Sequence, residues 1–169
     1  RNQALVTRVV SGEARIQVYD ASGISLGSWR DENFSIGTAF DLDVGPDGRI
    51  YMAGDGSIYV FTVGGASGVT ASALLRMPRN LEGAAELRSV AVDGSGRVFT
   101  AVTSTAGYYL GWDNAGKLLA GAPLQTSGLA GAASLAAGPG AGMVFSVNQG
   151  SGYKGLSYQA DRVDFKTEP

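Results

Sequence analysis

Any chemistry in this chain must be done without histidine or cysteine, because the sequence contains neither. The commonest general base and transition-metal ligand are missing, and so are thiolate nucleophiles, thiolate metal sites and disulfides. Ser-His-Asp and Cys-His sets are thereby excluded. Oxygen chemistry remains. Asp41 and Asp43 flank Leu42, so in a strand both carboxylates share one face. Such a pair suits a cation or a polar ligand, and solvated edge charges are the competing reading. Gly45-Pro46-Asp47-Gly48 and Asp93-Gly94-Ser95-Gly96 look like fragments of calcium loops, yet neither has alternating oxygen ligands and a closing carboxylate. Turn chemistry accounts for both, since Asp and Gly are what tight turns demand. Gly64-Gly65-Ala66-Ser67-Gly68 and Gly138-Pro139-Gly140-Ala141-Gly142 lack the Lys and following helix of a phosphate site.

Two charged segments stand out. One carries Arg79, Asn80, Glu82, Glu86 and Arg88, and the other carries Arg30, Asp31, Glu32 and Asn33. Mixed-sign charge on neighbouring loops suits a polar interface with protein or saccharide, and a plain solvated loop is the alternative. Tyr108, Tyr109 and Trp112, with Tyr51, Tyr59 and Phe99, could form an aromatic platform for carbohydrate; at strand spacing they are expected in the core.

The bulk properties narrow the partners. The 169 residues fit one domain, and the charged fraction of 17% is below the ordinary quarter. Net charge is −2, and the basic residues are scattered, so the footprint of a nucleic-acid binder is missing. No apolar run is long enough to span a membrane as a helix. The 26 glycines spread along the chain fit many tight turns. The start at Arg1 predicts a processed form or a segment of a longer polypeptide. The Gly/Ala/Ser/Thr-rich, Lys-poor composition points to a secreted or cell-envelope protein.

The elements that must position these residues come as repeats. Asp41–Ala53, Ser89–Ala101 and Ser134–Ser146 share one pattern of strand, Gly-rich turn and strand, with starts 48 and 45 residues apart. A second pattern joins Ile16–Leu26 to Tyr109–Leu119, in which an aromatic-Asp pair closes a strand and Gly turns the chain. Its separation of 93 residues equals the two other spacings combined. One repeat then holds four short strands, of the types 42–44, 50–53, 58–61 and 73–77. Repeated four-stranded antiparallel sheets of ~40–50 residues read as β-propeller blades. The expected fold is one all-β domain of about 3.5–4 blades, at roughly 1–38 (partial), 39–87, 88–132 and 133–169 (partial). Weak helical signals at 80–87 and 120–137 are broken by Gly or Pro and read as connecting loops.

The repeats resemble NHL repeats. Val90–Phe99 carries the first half of that family's pattern, and Arg15-Ile16-Gln17-Val18-Tyr19-Asp20-Ala21-Ser22-Gly23 the second. The chain departs from it at Ala53-Gly54 and Ala101-Val102, where Ala-Asp is usual, and at Asp41, Ser89 and Ser134, where Gly is usual. WD-repeat, YVTN and gluconolactonase-like propellers share the hairpin logic. The resemblance implies first strands beside a central channel, with Asp41 and Asp43 at its mouth. It also implies a ring of more blades than this chain supplies, completed by further blades of the same polypeptide or by protein partners. The expected function is non-catalytic: a binding or scaffolding propeller segment with no cofactor. A lactonase- or glycosidase-like enzyme with its site on blade-top loops is the alternative, as is carbohydrate binding.

Overall fold

The computed structural model describes residues 3–29, 36–54, 56–63, 69–76, 86–103, 107–120, 124–126, 133–138, 143–148 and 160–164. Its strands are short because the sequence punctuates them with Asp and Gly. Three turns share one frame, opened by Asp20, Asp93 and Asp113. In each, the Asp N–H donates to the carbonyl four residues on, and the N–H of the third residue, a Gly, donates back to the Asp carbonyl at 2.9–3.0 Å. The Asp Oδ1 accepts the N–H groups two and four residues on: Ser22 and Ile24, Ser95 and Arg97, Ala115 and Lys117. Gly23, Gly96 and Gly116 stand at φ of 79°, 80° and 82°, where a Cβ is strained. The turn at Gly45 has the same backbone frame, but its carboxylate comes two residues later, as Asp47, which accepts the Arg49 N–H. These carboxylates hold turns, as their residue types predict.

The strands form four antiparallel sheets. β1 (Gln3–Val10), β2 (Glu13–Asp20) and β3 (Ser25–Trp29) make the first. β4 (Asp41–Val44), β5 (Ile50–Gly54), β6 (Ser57–Val63) and β7 (Val69–Arg76) make the second, in chain order. The third orders β12 (Leu124–Thr126), β11 (Gly107–Trp112) and β10 (Val98–Thr103) before a divided inner strand, β8 (Glu86–Leu87) and β9 (Ala91–Val92), both paired with β10. Glu86–Leu87 closes the second interval of the sequence reading yet joins the third sheet. β13 (Ala133–Ala137), β14 (Met143–Asn148) and β15 (Ala160–Asp164) make the fourth. No helix occurs among the described residues. The architecture is the expected all-β arc of propeller blades. Judged by their turns, β1–β3 correspond to the second, third and fourth strands of a blade, and β13–β15 to the first three.

Each internal sheet is apolar on both faces because a neighbour covers each. Ile16, Ile50, Met52 and Phe61 fill the space between the first two sheets. Tyr51, Ile58, Val60, Leu87, Val98, Leu110 and Trp112 fill that between the second and third. Phe99, Ala101, Tyr109 and Leu135 join the third to the fourth. This explains why β5 is buried at all five positions instead of alternating. Each such side chain contributes about 1.5–3 kcal/mol on full burial.

Candidate functional site

At the inner rim, β4 lies beside the divided strand of the third sheet. Asp43 Oδ2 accepts the Val92 N–H at 2.7 Å, and Asp41 Oδ2 accepts the Val90 N–H at 3.0 Å. The other oxygens cap the strand's own N–H groups, from Leu42 at 2.9 Å and Val44 at 2.8 Å. The pair expected at a channel mouth is thus a clasp between two blades, with each oxygen already accepting a backbone N–H. Burial pushes the Asp41 carboxyl above its ordinary value, and the charge of Asp43 adds to this, while the Val90 and Leu42 N–H groups pull the other way. The clasp has a reason in the partner strand. The break between β8 and β9 takes Val90 out of the regular ladder, and Asp41 supplies an acceptor for it. Beside it Thr100 Oγ1 donates to the Ser89 carbonyl at 2.5 Å.

Above the clasp, the Arg88 guanidinium lies 5.4 Å from the centre of the Phe40 ring, which is 39% exposed. Phe40 is placed by the segment 36–40, which is pinned at both ends. The Ala14 N–H donates to the Ile36 carbonyl at 2.6 Å, and the Phe40 N–H donates to the Ala53 carbonyl at 2.9 Å. Between these, a Cβ on Gly54 would collide with the Thr38 carbonyl oxygen, so only glycine admits this approach. Of the predicted loop residues, Arg88 is exposed here and Glu86 opens β8 opposite Thr103. Arg30, Asp31, Glu32, Asn33, Arg79, Asn80 and Glu82 lie outside the described residues. Phe40 was not singled out from sequence; its place just before the Asp41 strand was the available signal.

At the opposite end of the same two blades is a cleft of about 50 Å³, lined by Arg49, Tyr51, Asp113 and Asn114 among others. Arg49 pairs with Asp47 through Nε, reaches the Asn114 carbonyl at 3.4 Å through Nη2, and covers Tyr51 at 5.7 Å. Burial pushes the Tyr51 phenol up, against the opposing pull of the Arg49 charge. In the next repeat Asp93 and Arg97 occupy the corresponding turn. Burial would raise the Asp93 carboxyl, but hydrogen bonds from Ser95 and Arg97 outweigh it and hold the group below the usual range. Arg97 is 5.9 Å from the Phe99 ring. The aromatic residues weighed as a sugar platform are mostly interior. Tyr51, Tyr59, Phe99, Tyr109 and Trp112 are buried between blades, and Tyr108 is half-buried. No group of three or more acidic side chains arranged to hold a metal occurs among the described residues.

No protein-family model and no curated protein matches this chain. Solved structures do. The β-propeller domain of Cps50 (Swd1) from Myceliophteria thermophila superposes with a TM-score of 0.61 at 14% identity, over 87% of this chain and 47% of that one. A protein from Lactobacillus plantarum gives 0.59 at 14% identity, over 96% and 54%. An auxiliary nutrient binding protein from Bacteroides ovatus gives 0.58 at 14% identity, over 88% and 36%. At such identity the likeness establishes the propeller fold. It does not single out NHL repeats. The chain spans between about a third and just over half the length of these structures.

Proposed function

We propose that this propeller arc is a non-catalytic binding segment that makes protein–protein contacts within a larger assembly. The observation that carries this reading is the first sheet. One of its faces packs on the second sheet, and the other leaves Ala4, Val6 and Arg8 exposed. The same sheet and its Asp20 turn display Val6, Leu26 and the turn residue Ile24 at 48%, 54% and 64% exposure. The internal sheets bury most such residues on both faces, with Val44 at the end of β4 exposed, and an edge of a repeat array needs cover. The use of the carboxylates supports the same reading. Asp20, Asp41, Asp43, Asp47, Asp93 and Asp113 all accept backbone N–H groups that hold turns or clasp blades.

The test is native mass spectrometry of the protein isolated from its source, with hydrogen exchange of the free and assembled forms. A stoichiometric protein partner that protects a sheet face or blade-end loops is the expected result. A free monomer that turns over a lactone or glycoside refutes it.

A second reading is supported by the cleft. Arg49, Tyr51, Asp113 and Asn114 are among its lining residues, and one structural neighbour is named as nutrient binding. Saturable shifts of the Arg49 and Asn114 resonances with oligosaccharide would favour this reading over the first.

A further inference from the structure

We infer that the outer face of the first sheet docks an acidic segment of a protein partner, through Arg8 and Arg15. This rests on the protein-binding reading above and names the chemistry of the partner.

The inference begins with what the same positions hold elsewhere. Asp20 and Asp113 open equivalent turns, so β2 corresponds to β11 and β1 to β10. In the third sheet, the face toward its preceding neighbour carries Val98, Val102, Leu110 and Trp112, all buried, with Tyr108 packed against them. The equivalent positions of the first sheet are Ala4, Arg8, Gln17, Tyr19 and Arg15. A valine, a tyrosine and a leucine of an interblade core are thus replaced by two arginines and a glutamine. The opposite face remains apolar, with Ala14, Ile16 and Val18 buried. This face is therefore not built for an ordinary apolar blade.

Its charge is not self-contained either. Arg8 and Arg15 are direct cross-strand partners in the β1–β2 register. Like charges so placed repel and destabilise the pair. The ion pair nearby is loose, with Glu13 Oε2 at 3.7 Å from Arg15 Nη2. The Arg15 Nε is shielded from solvent and has no acceptor among the described residues, which leaves a desolvated donor on an exposed face. Two adjacent guanidinium forks match carboxylates, which accept them bidentately. Beyond the pair, toward the Asp20 turn, the same face continues with Val6 opposite Gln17 and half-buried Tyr19 opposite Ala4, which supply apolar contact. An acidic segment that continues into apolar residues on one side satisfies the repulsion and the exposed valine together.

The experiment follows the backbone amide resonances of positions 8, 15 and 17 by NMR in the full polypeptide, together with the Nε–Hε resonances of Arg8 and Arg15 in the wild type. The probe is a capped decaglutamate peptide, with inorganic phosphate and a short DNA duplex run in parallel. Saturable shifts confined to this face are expected with decaglutamate; the affinity, read from the amides, is weakened tenfold or more in Arg8→Gln/Arg15→Gln and reduced at high salt. The Arg8→Lys/Arg15→Lys variant should retain part of the binding, since it keeps charge but loses the fork. Unchanged amide shifts for Ile50 and Met52, which pack on the opposite face of this sheet, report that the variants fold. Absence of shifts, equal shifts at Arg49 and Arg97, or undiminished binding by the Gln variant overturns the proposal. So does tighter binding of phosphate or of the duplex. A protein partner that protects another surface, with no response here, removes this inference and leaves the broader reading standing.

Discussion

Replacing Asp43 by Ala tests whether the blades are clasped as described. The substitution removes the acceptor of the Val92 N–H, 2.7 Å away, and the cap on the Val44 N–H, 2.8 Å away. Hydrogen bonds to a charged group contribute about 1.5–3 kcal/mol, and less where water can replace the lost partner. Asp43 is half-buried, so a loss of about 1–2 kcal/mol is expected. That corresponds to a rise of roughly 5–30-fold in opening of this segment. Hydrogen exchange is the suitable assay, because a repeat array need not unfold in one step. The Val92 amide should exchange faster by that factor, and the Phe61 amide, in the adjoining apolar interface, should change little. Asp43→Asn keeps one oxygen and should cost less. Asp41→Asn should cost least, since burial already disfavours the ionised Asp41. A change below twofold at Val92 in Asp43→Ala would refute the clasp.

Further outcomes follow from the same geometry. Asp93 is held below its ordinary value in the folded chain, so its stabilisation is present above the unfolded carboxylate range and is lost as pH falls through its folded value. Asp41, raised by burial, has the opposite sign: its contribution is fully present below the unfolded value and is lost as pH rises through the folded one. Denaturation across the acid range should therefore show a loss of stability on acidification that shrinks in Asp93→Asn and grows in Asp41→Asn. Ser89→Ala should be neutral or stabilising by about 1 kcal/mol, because the Ser89 Oγ is buried without a partner among the described residues; a measured loss in thermal unfolding would show that the hydroxyl is bonded. Gly54→Ala should destabilise by at least about 1–3 kcal/mol, since its Cβ meets a backbone carbonyl that cannot rotate away; wild-type stability in the same assay would contradict the close approach at Thr38.

Much of the fold was legible because its determinants are local. Asp-x-x-Gly turns at 20–23, 93–96 and 113–116 state where strands end, since the carboxylate and the left-handed glycine act within five residues. Runs such as Ile58-Tyr59-Val60-Phe61 state that a strand has two covered faces. The spacing of these signals carried the blade repeat. Burial of Tyr51, Phe99 and Trp112 followed from their places in such strands. The aromatic platform gave way to core because strand spacing, and not ring chemistry, decided where those rings went.

The candidate sites were less legible, because they depend on contacts between repeats. That Asp41 and Asp43 share one face was readable from a two-residue spacing. That they accept the Val90 and Val92 N–H groups, 49 residues away, was not, since backbone donors have no sequence identity. The pairing of Arg88 with Phe40 and the meeting of Arg49 with Asn114 likewise needed two blades placed side by side. The sequence alone determined the unit: four strands, Gly turns and a period near 46 residues. The tertiary structure alone decided which faces of those units meet and which remain uncovered. Turns and strand alternation are written within a few neighbouring residues, whereas a clasp or a bare arginine pair exists only when one repeat is set against the next.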